Sequence, residues 1–165
     1  DWHPNDRPGV LPAFSQHSLI GEYFAAYPKA EDYFTFAIVR NPWARMATYY
    51  ATHEAYHNME FGEWVERLGV HDEEKTLYDH ARMYSSCASW ICLKDQIAVD
   101  YVGRFEQLGS AFNTVIQKLG IDASLPHLNQ SGRKHYAEFY DRASQEIIAK
   151  RFCKDIELFG YELGD

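Results

Sequence analysis

Apolar positions in this chain recur mostly with helical spacing. One exception is the run at 34–39, rich in aromatic and β-branched residues, which predicts a buried strand. A second strand is predicted over 99–105. Helices are predicted from the remaining periodic segments, which are 19–27, the segment after Asn41 to near 57, 61–68, 72–84, 112–119 and most of 136–159. Few strands among many helices favour an α/β sandwich with a small parallel sheet.

The first predicted strand runs directly into a helix. Asn41 is suited to cap that helix, and Pro42 is suited to its first position. The apolar stripe that follows consists of Trp43, Met46, Ala47 and Tyr50. The sequence therefore predicts a strand–turn–helix corner around residues 40–42.

Such a corner is a natural site for an anion, because the first N–H groups of a helix lack internal partners. Arg40 leaves the strand at this point with a donor fork that suits phosphate. Arg45 and Thr48 are three residues apart and share a helix face. The residues predict a phosphate clamp, with a surface arginine and an ordinary helical threonine as the alternative.

Composition narrows the possible partners. The 165 residues carry a formal net charge of −8, which argues against a general nucleic-acid binder but allows a local basic site. The sequence has no apolar run of the roughly 18 residues that a membrane span needs. The three cysteines show no metal-ligand spacing and slightly favour a reducing compartment such as the cytoplasm.

Three segments in order resemble the carbohydrate-type sulfotransferases, which use 3′-phosphoadenosine 5′-phosphosulfate as sulfate donor. The first is Val39-Arg40-Asn41-Pro42-Trp43-x-Arg45-x-x-Thr48. The second covers 99–108, and the third runs from Leu125-Pro126-His127 to Phe159-Gly160-Tyr161. The resemblance implies a three-layer, P-loop-like nucleotide-binding α/β fold, formed by a single domain over 1–165 with 1–14 as an extended arm.

In that family the matching arginine and hydroxyl residue hold the donor's 3′-phosphate, which assigns this role to Arg40 and Thr48, with Arg45 beside them. A loop before the last helices closes over the nucleotide, so Arg133 and Lys134 are candidate cations, with a solvated turn as the alternative. His17 stands where some members carry a catalytic base, and its alternative is a capping or surface histidine. The acceptor implied is a hydroxyl group, on a glycan or a small molecule, and no metal is implied.

One expected part is missing from the sequence. The family begins with a strand and a lysine-bearing loop that grips the 5′-phosphosulfate, whereas residues 1–14 contain no lysine. We therefore expect an N-terminally truncated enzyme, with little transfer from this segment alone. The alternative is a non-catalytic domain that has lost the loop and binds a nucleotide or a partner.

A remote alternative is a zinc hydrolase. His53, Glu54 and His57 have the H-E-x-x-H spacing of zinc metalloproteases, in which both histidines share a helix face. The downstream glycine and third histidine of one such class are absent. The two histidines also fall at the end of a predicted helix whose start is already assigned to the phosphate clamp.

Overall fold

A two-stranded parallel sheet is the centre of the computed structural model, which describes residues 18–56, 58–70, 85–126 and 135–165. In chain order the strands are β1 (Phe36–Val39), β2 (Cys92–Leu93), β3 (Gln96–Ile97) and β4 (Tyr101–Arg104). β1 pairs with β4 in parallel, and β2 and β3 form a short antiparallel hairpin. The small parallel sheet predicted from the sequence is confirmed.

Seven α-helices surround the strands in the part of the chain that the structure describes. They are α1 (Ile20–Ala26), α2 (Pro42–Thr52), α3 (Phe61–Val70), α4 (Cys87–Ile91), α5 (Leu108–Leu119), α6 (Arg142–Arg151) and α7 (Cys153–Phe159). Short 3-10 turns occur at Pro28–Asp32, Glu54–Tyr56, Phe105–Gln107 and Tyr136–Phe139. None of the helices described is long and apolar enough to cross a bilayer.

Helix α2 forms the core beneath the sheet. Asn41 caps it, Pro42 is its first residue, and Trp43, Met46 and Ala47 are buried, as the apolar stripe predicts. α3 packs on α6, and α2 packs on α6 and on the 136–139 turn. The predicted apolar positions of α3, which are Phe61, Trp64, Val65 and Leu68, are all buried.

Helix α5 packs on the sheet and contacts both β4 and β1. Gly103 makes its close approach possible, because a Cβ at this position would lie 2.6 Å from the Ala111 Cβ and 2.8 Å from the Ile38 Cδ1. Gly120 ends α5 in the left-handed conformation at φ 65°, as its place after the apolar stripe predicts.

The prediction that β1 is a buried strand is wrong for half of its residues. Val39 is 1% exposed, whereas Phe36 and Ile38 are 48% and 37% exposed. The exposed pair lies on the face towards α5, and β1 pairs with β4 along one edge only among the described residues. The apolar composition of β1 therefore indicates a strand, but it does not show that both faces of the strand are covered.

Several predicted boundaries also differ from the structure. Helix α2 ends at Thr52, and a 3-10 turn follows at Glu54–Tyr56, so the helix does not continue to residue 57. Helix α1 covers Ile20–Ala26 rather than 19–27, and the Leu19 N–H before it donates to the Glu22 carboxylate at 2.8 Å. The helix predicted at 72–84 and the arm at 1–14 lie outside the described residues.

The three cysteines are unpaired. Cys87 and Cys92 are half-buried, and Cys153 is exposed. Burial raises the pKa of the Cys87 and Cys92 thiols. Both are therefore poor nucleophiles at neutral pH, since the thiolate is the reactive form.

Candidate functional site

The turn between β1 and α2 is fixed by one buried amide. Asn41 is fully buried, and its Oδ1 accepts the N–H groups of Trp43 at 3.0 Å and Ala44 at 3.3 Å. Its Nδ2 donates to the Glu162 carbonyl at 2.7 Å. The cap therefore also ties the start of α2 to the end of the chain.

Arg40 and Thr48 meet across the first turns of α2. The Arg40 Nη2 donates to the Thr48 Oγ1 at 3.0 Å. A guanidinium has no acceptor, so the Thr48 oxygen must be the acceptor here, and the hydroxyl hydrogen is left to donate elsewhere. The two side chains that the sequence places eight residues apart thus form one polar unit with donors from both members.

The Arg40 guanidinium also lies over the ring of Phe105, with its Cζ 4.5 Å from the ring centroid. Its Nε is buried and has no hydrogen-bond partner among the residues that the structure describes. Burial lowers the pKa of Arg40, and the negative charge of Glu106 opposes that shift. An arginine stays charged in any case, so Arg40 keeps its charge with one buried donor unsatisfied.

Arg45 points to the same side of α2 but is held by other groups. Its Nη2 donates to the Ser85 carbonyl at 2.9 Å and lies 3.7 Å from the buried Asp155 carboxylate. Asp155 in turn accepts the N–H groups of Cys87 and Ala88, each at 2.7 Å. Arg45 therefore joins α2 to α7 and to the start of α4.

These arginines line a cleft of about 380 Å³, which we call the Arg40–Thr48 cleft. Its walls include Arg40, Arg45, Thr48, Thr52, His53 and Trp90. The size lies within the range of small-molecule sites, about 300–1,000 Å³. The structure thus brings together three predicted site residues, Arg40, Arg45 and Thr48, around one space.

The other predicted site residues are not placed. His17, Arg133 and Lys134 lie outside the described residues. His53 is described, and its ring stacks on Tyr49 with the ring centroids 3.9 Å apart.

The zinc alternative loses its helical basis. α2 ends at Thr52, so His53 and Glu54 do not lie on a continuous α-helix, and His57 is outside the described residues. Within the ranges that the structure describes, no three histidine, cysteine or carboxylate side chains come together as metal ligands would. The continuous α-helix on which the motif depends is therefore absent at His53 and Glu54.

Comparison with known proteins gives one decisive match. A model of the Sulfotransferase family matches residues 13–162, which is nearly the whole chain. The chain belongs to the Sulfotransferase family. Neither the curated proteins nor the solved structures contain a significant match to it.

Two residues that contact the β1–α2 corner were not among the predicted binding residues. Phe105 and Glu106 follow β4, and each stands 65 positions after its neighbour at the corner, Arg40 and Asn41. The same separation joins Phe36 to Tyr101 in the sheet register. A signal for both residues was thus available once the two strands were paired, because the parallel register continues into the turns that follow them.

Proposed function

We propose that this sulfotransferase binds 3′-phosphoadenosine 5′-phosphosulfate with its 3′-phosphate at the Arg40–Thr48 pair. The observation that carries the proposal is the 3.0 Å contact between the two side chains, both of which line the cleft. A phosphate oxygen in the cleft could accept the guanidinium N–H groups that Thr48 leaves unused, and also the Thr48 hydroxyl hydrogen. Arginine and hydroxyl donors are typical partners of phosphate.

Electrostatics in the Arg40–Thr48 cleft support an anionic ligand. Arg40 contacts a hydroxyl and an aromatic ring, and neither group neutralises its charge. Arg45 adds a second guanidinium, whose Nε is also buried without a hydrogen-bond partner among the described residues. We propose Arg133 and Lys134 as further cations over the nucleotide, on the family resemblance of their loop.

When bound, the donor supplies the sulfuryl group. We propose that His17 accepts the proton of the acceptor hydroxyl as that oxygen bonds to sulfur and the sulfur–oxygen bond to the donor's phosphate breaks. The acceptor proposed is a glycan, on the resemblance of the Val39-to-Thr48 segment to the carbohydrate-type enzymes. A small alcohol is the alternative acceptor.

Calorimetry tests the binding half of the proposal. The protein should bind adenosine 3′,5′-bisphosphate more tightly than adenosine 5′-phosphate, because only the first carries the 3′-phosphate. Equal affinity for the two nucleotides would refute the proposed phosphate site.

Turnover tests the chemical half, measured on the product of the complete reading frame. Radiolabelled sulfate should pass from the donor to a glycan acceptor, and His17→Ala should lower turnover by about 10²–10⁴-fold, the usual contribution of a general base. Donor affinity should be unchanged. Normal turnover in the variant would remove His17 from the reaction, and tight nucleotide binding without any transfer would favour the non-catalytic binding domain.

A further inference from the structure

Glu106 carries a negative charge close to a site that is proposed to bind an anion. The charge is near enough to raise the pKa of Arg40, against the larger effect of burial. By field alone it would weaken the binding of a phosphate. Its presence at this point therefore calls for a compensating role.

The Glu106 carboxylate forms its shortest hydrogen bond with a backbone N–H group rather than with a cation. Glu106 Oε1 accepts the Asn41 N–H at 2.8 Å, and Tyr161 Oη lies 3.4 Å from Oε2. The Asn41 N–H belongs to the peptide unit that leaves Arg40, so this bond fixes the chain where the arginine side chain departs. The Asn41 side chain then caps α2 and sets the helix that carries Thr48.

The register of the sheet delivers Glu106 to this place. β1 and β4 pair with a constant separation of 65 residues, from Phe36 and Tyr101 to Val39 and Arg104. The bond between Glu106 and Asn41 continues that separation beyond the last paired residues. This bond therefore links the two chain segments just beyond the last paired residues of the strands, next to Arg40.

We propose that Glu106 is a positioning residue for the phosphate site. It acts through the Asn41 N–H to hold Arg40 against Thr48, and its negative charge is not required. This inference rests on the proposed function, because it explains how Arg40 and Thr48 are held in place to bind a phosphate.

Two substitutions separate position from charge. Glu106→Gln keeps an oxygen that accepts the Asn41 N–H and removes the charge, whereas Glu106→Ala removes both. Glu146→Gln is the matched control, because Glu146 pairs with Arg142 on the exposed surface of α6. Affinities for adenosine 3′,5′-bisphosphate and adenosine 5′-phosphate are measured by calorimetry at constant pH and salt.

Glu106→Ala should weaken bisphosphate binding by about 2- to 12-fold, the range for one hydrogen bond, and leave adenosine 5′-phosphate unaffected. Glu106→Gln should bind the bisphosphate as tightly as the wild type or more tightly. A Glu106→Ala variant with the wild-type affinity ratio would overturn the inference. So would a Glu106→Gln variant that falls as far as Glu106→Ala.

The Asn41 amide gives a readout that needs no ligand. Its hydrogen exchange should be faster in Glu106→Ala and protected in Glu106→Gln, because only the glutamine retains the acceptor. Equal protection in all variants would overturn the positioning role even if the protein binds nucleotide. Wild-type protein that does not discriminate between the two nucleotides would instead refute the proposed phosphate site, and the inference would fall with it.

Discussion

Replacing Arg40 by lysine keeps the positive charge and removes the geometry on which the phosphate site depends. The Arg40 guanidinium donates to Thr48 through Nη2, and its Cζ lies 4.5 Å from the centroid of the Phe105 ring. An ammonium group is a single point charge and cannot make these directed contacts together. Arg40→Lys should therefore weaken binding of the 3′-phosphate while leaving the fold intact.

The expected loss follows from the number of donors removed. A hydrogen bond to a charged group contributes about 1.5–3 kcal/mol, which corresponds to roughly 10- to 150-fold in affinity. Calorimetry with adenosine 3′,5′-bisphosphate should show a loss in this range. Adenosine 5′-phosphate should show a much smaller loss, since it lacks the group that Arg40 is proposed to hold.

Arg142→Lys is the matched control for this substitution. Arg142 is the first residue of α6, and its side chain is 92% exposed and pairs with Glu146 on the surface. The control variant should bind both nucleotides as the wild type does. Equal losses for the two nucleotides in Arg40→Lys, with an unchanged melting curve, would refute the assignment of Arg40 to the 3′-phosphate.

Variants at three further positions give independent tests. Thr48→Ala should weaken bisphosphate binding by roughly 10-fold or more, as measured by calorimetry. Thr48→Ser should keep the wild-type affinity, because serine retains the hydroxyl. Phe105→Leu should lower bisphosphate affinity by about 2- to 5-fold, the effect of an exposed cation–π contact, and should have no effect when Arg40 is already alanine. Asp155→Ala should lower the free energy of unfolding by about 3–5 kcal/mol in urea titrations, because Arg45 and two N–H groups would lose a buried partner; a loss below about 1 kcal/mol would contradict this account.

Local patterns predicted the elements that carry the site. The cap at Asn41 and the buried stripe of α2 follow from side-chain chemistry and helical spacing, both of which act within a few residues. The exposure of Phe36 and Ile38 could not be predicted this way. It depends on how much of β1 its neighbours cover, which is set by residues far away in the chain.

The same division holds for the candidate site. Arg40 and Thr48 are close in sequence, and their contact is what a strand exit followed by a helix predicts. Asp155 is 110 residues beyond Arg45, and nothing in the local pattern around either residue signals their pairing. The bond between Glu106 and Asn41 likewise joins residues 65 positions apart, and it depends on the pairing of β1 with β4.

The hydrogen bonds of two carboxylates near the cleft explain how a chain with a net charge of −8 can keep a cationic site. Glu106 and Asp155 are carboxylates beside the two arginines, and both accept their shortest hydrogen bonds from backbone N–H groups. Asp155 lies 3.7 Å from Arg45, while the described hydrogen bond of Arg40 is to a hydroxyl group. The acidic side chains thus organise the backbone around the cleft and leave the Arg40 charge for a ligand, which is the arrangement that an anion site in an acidic protein requires.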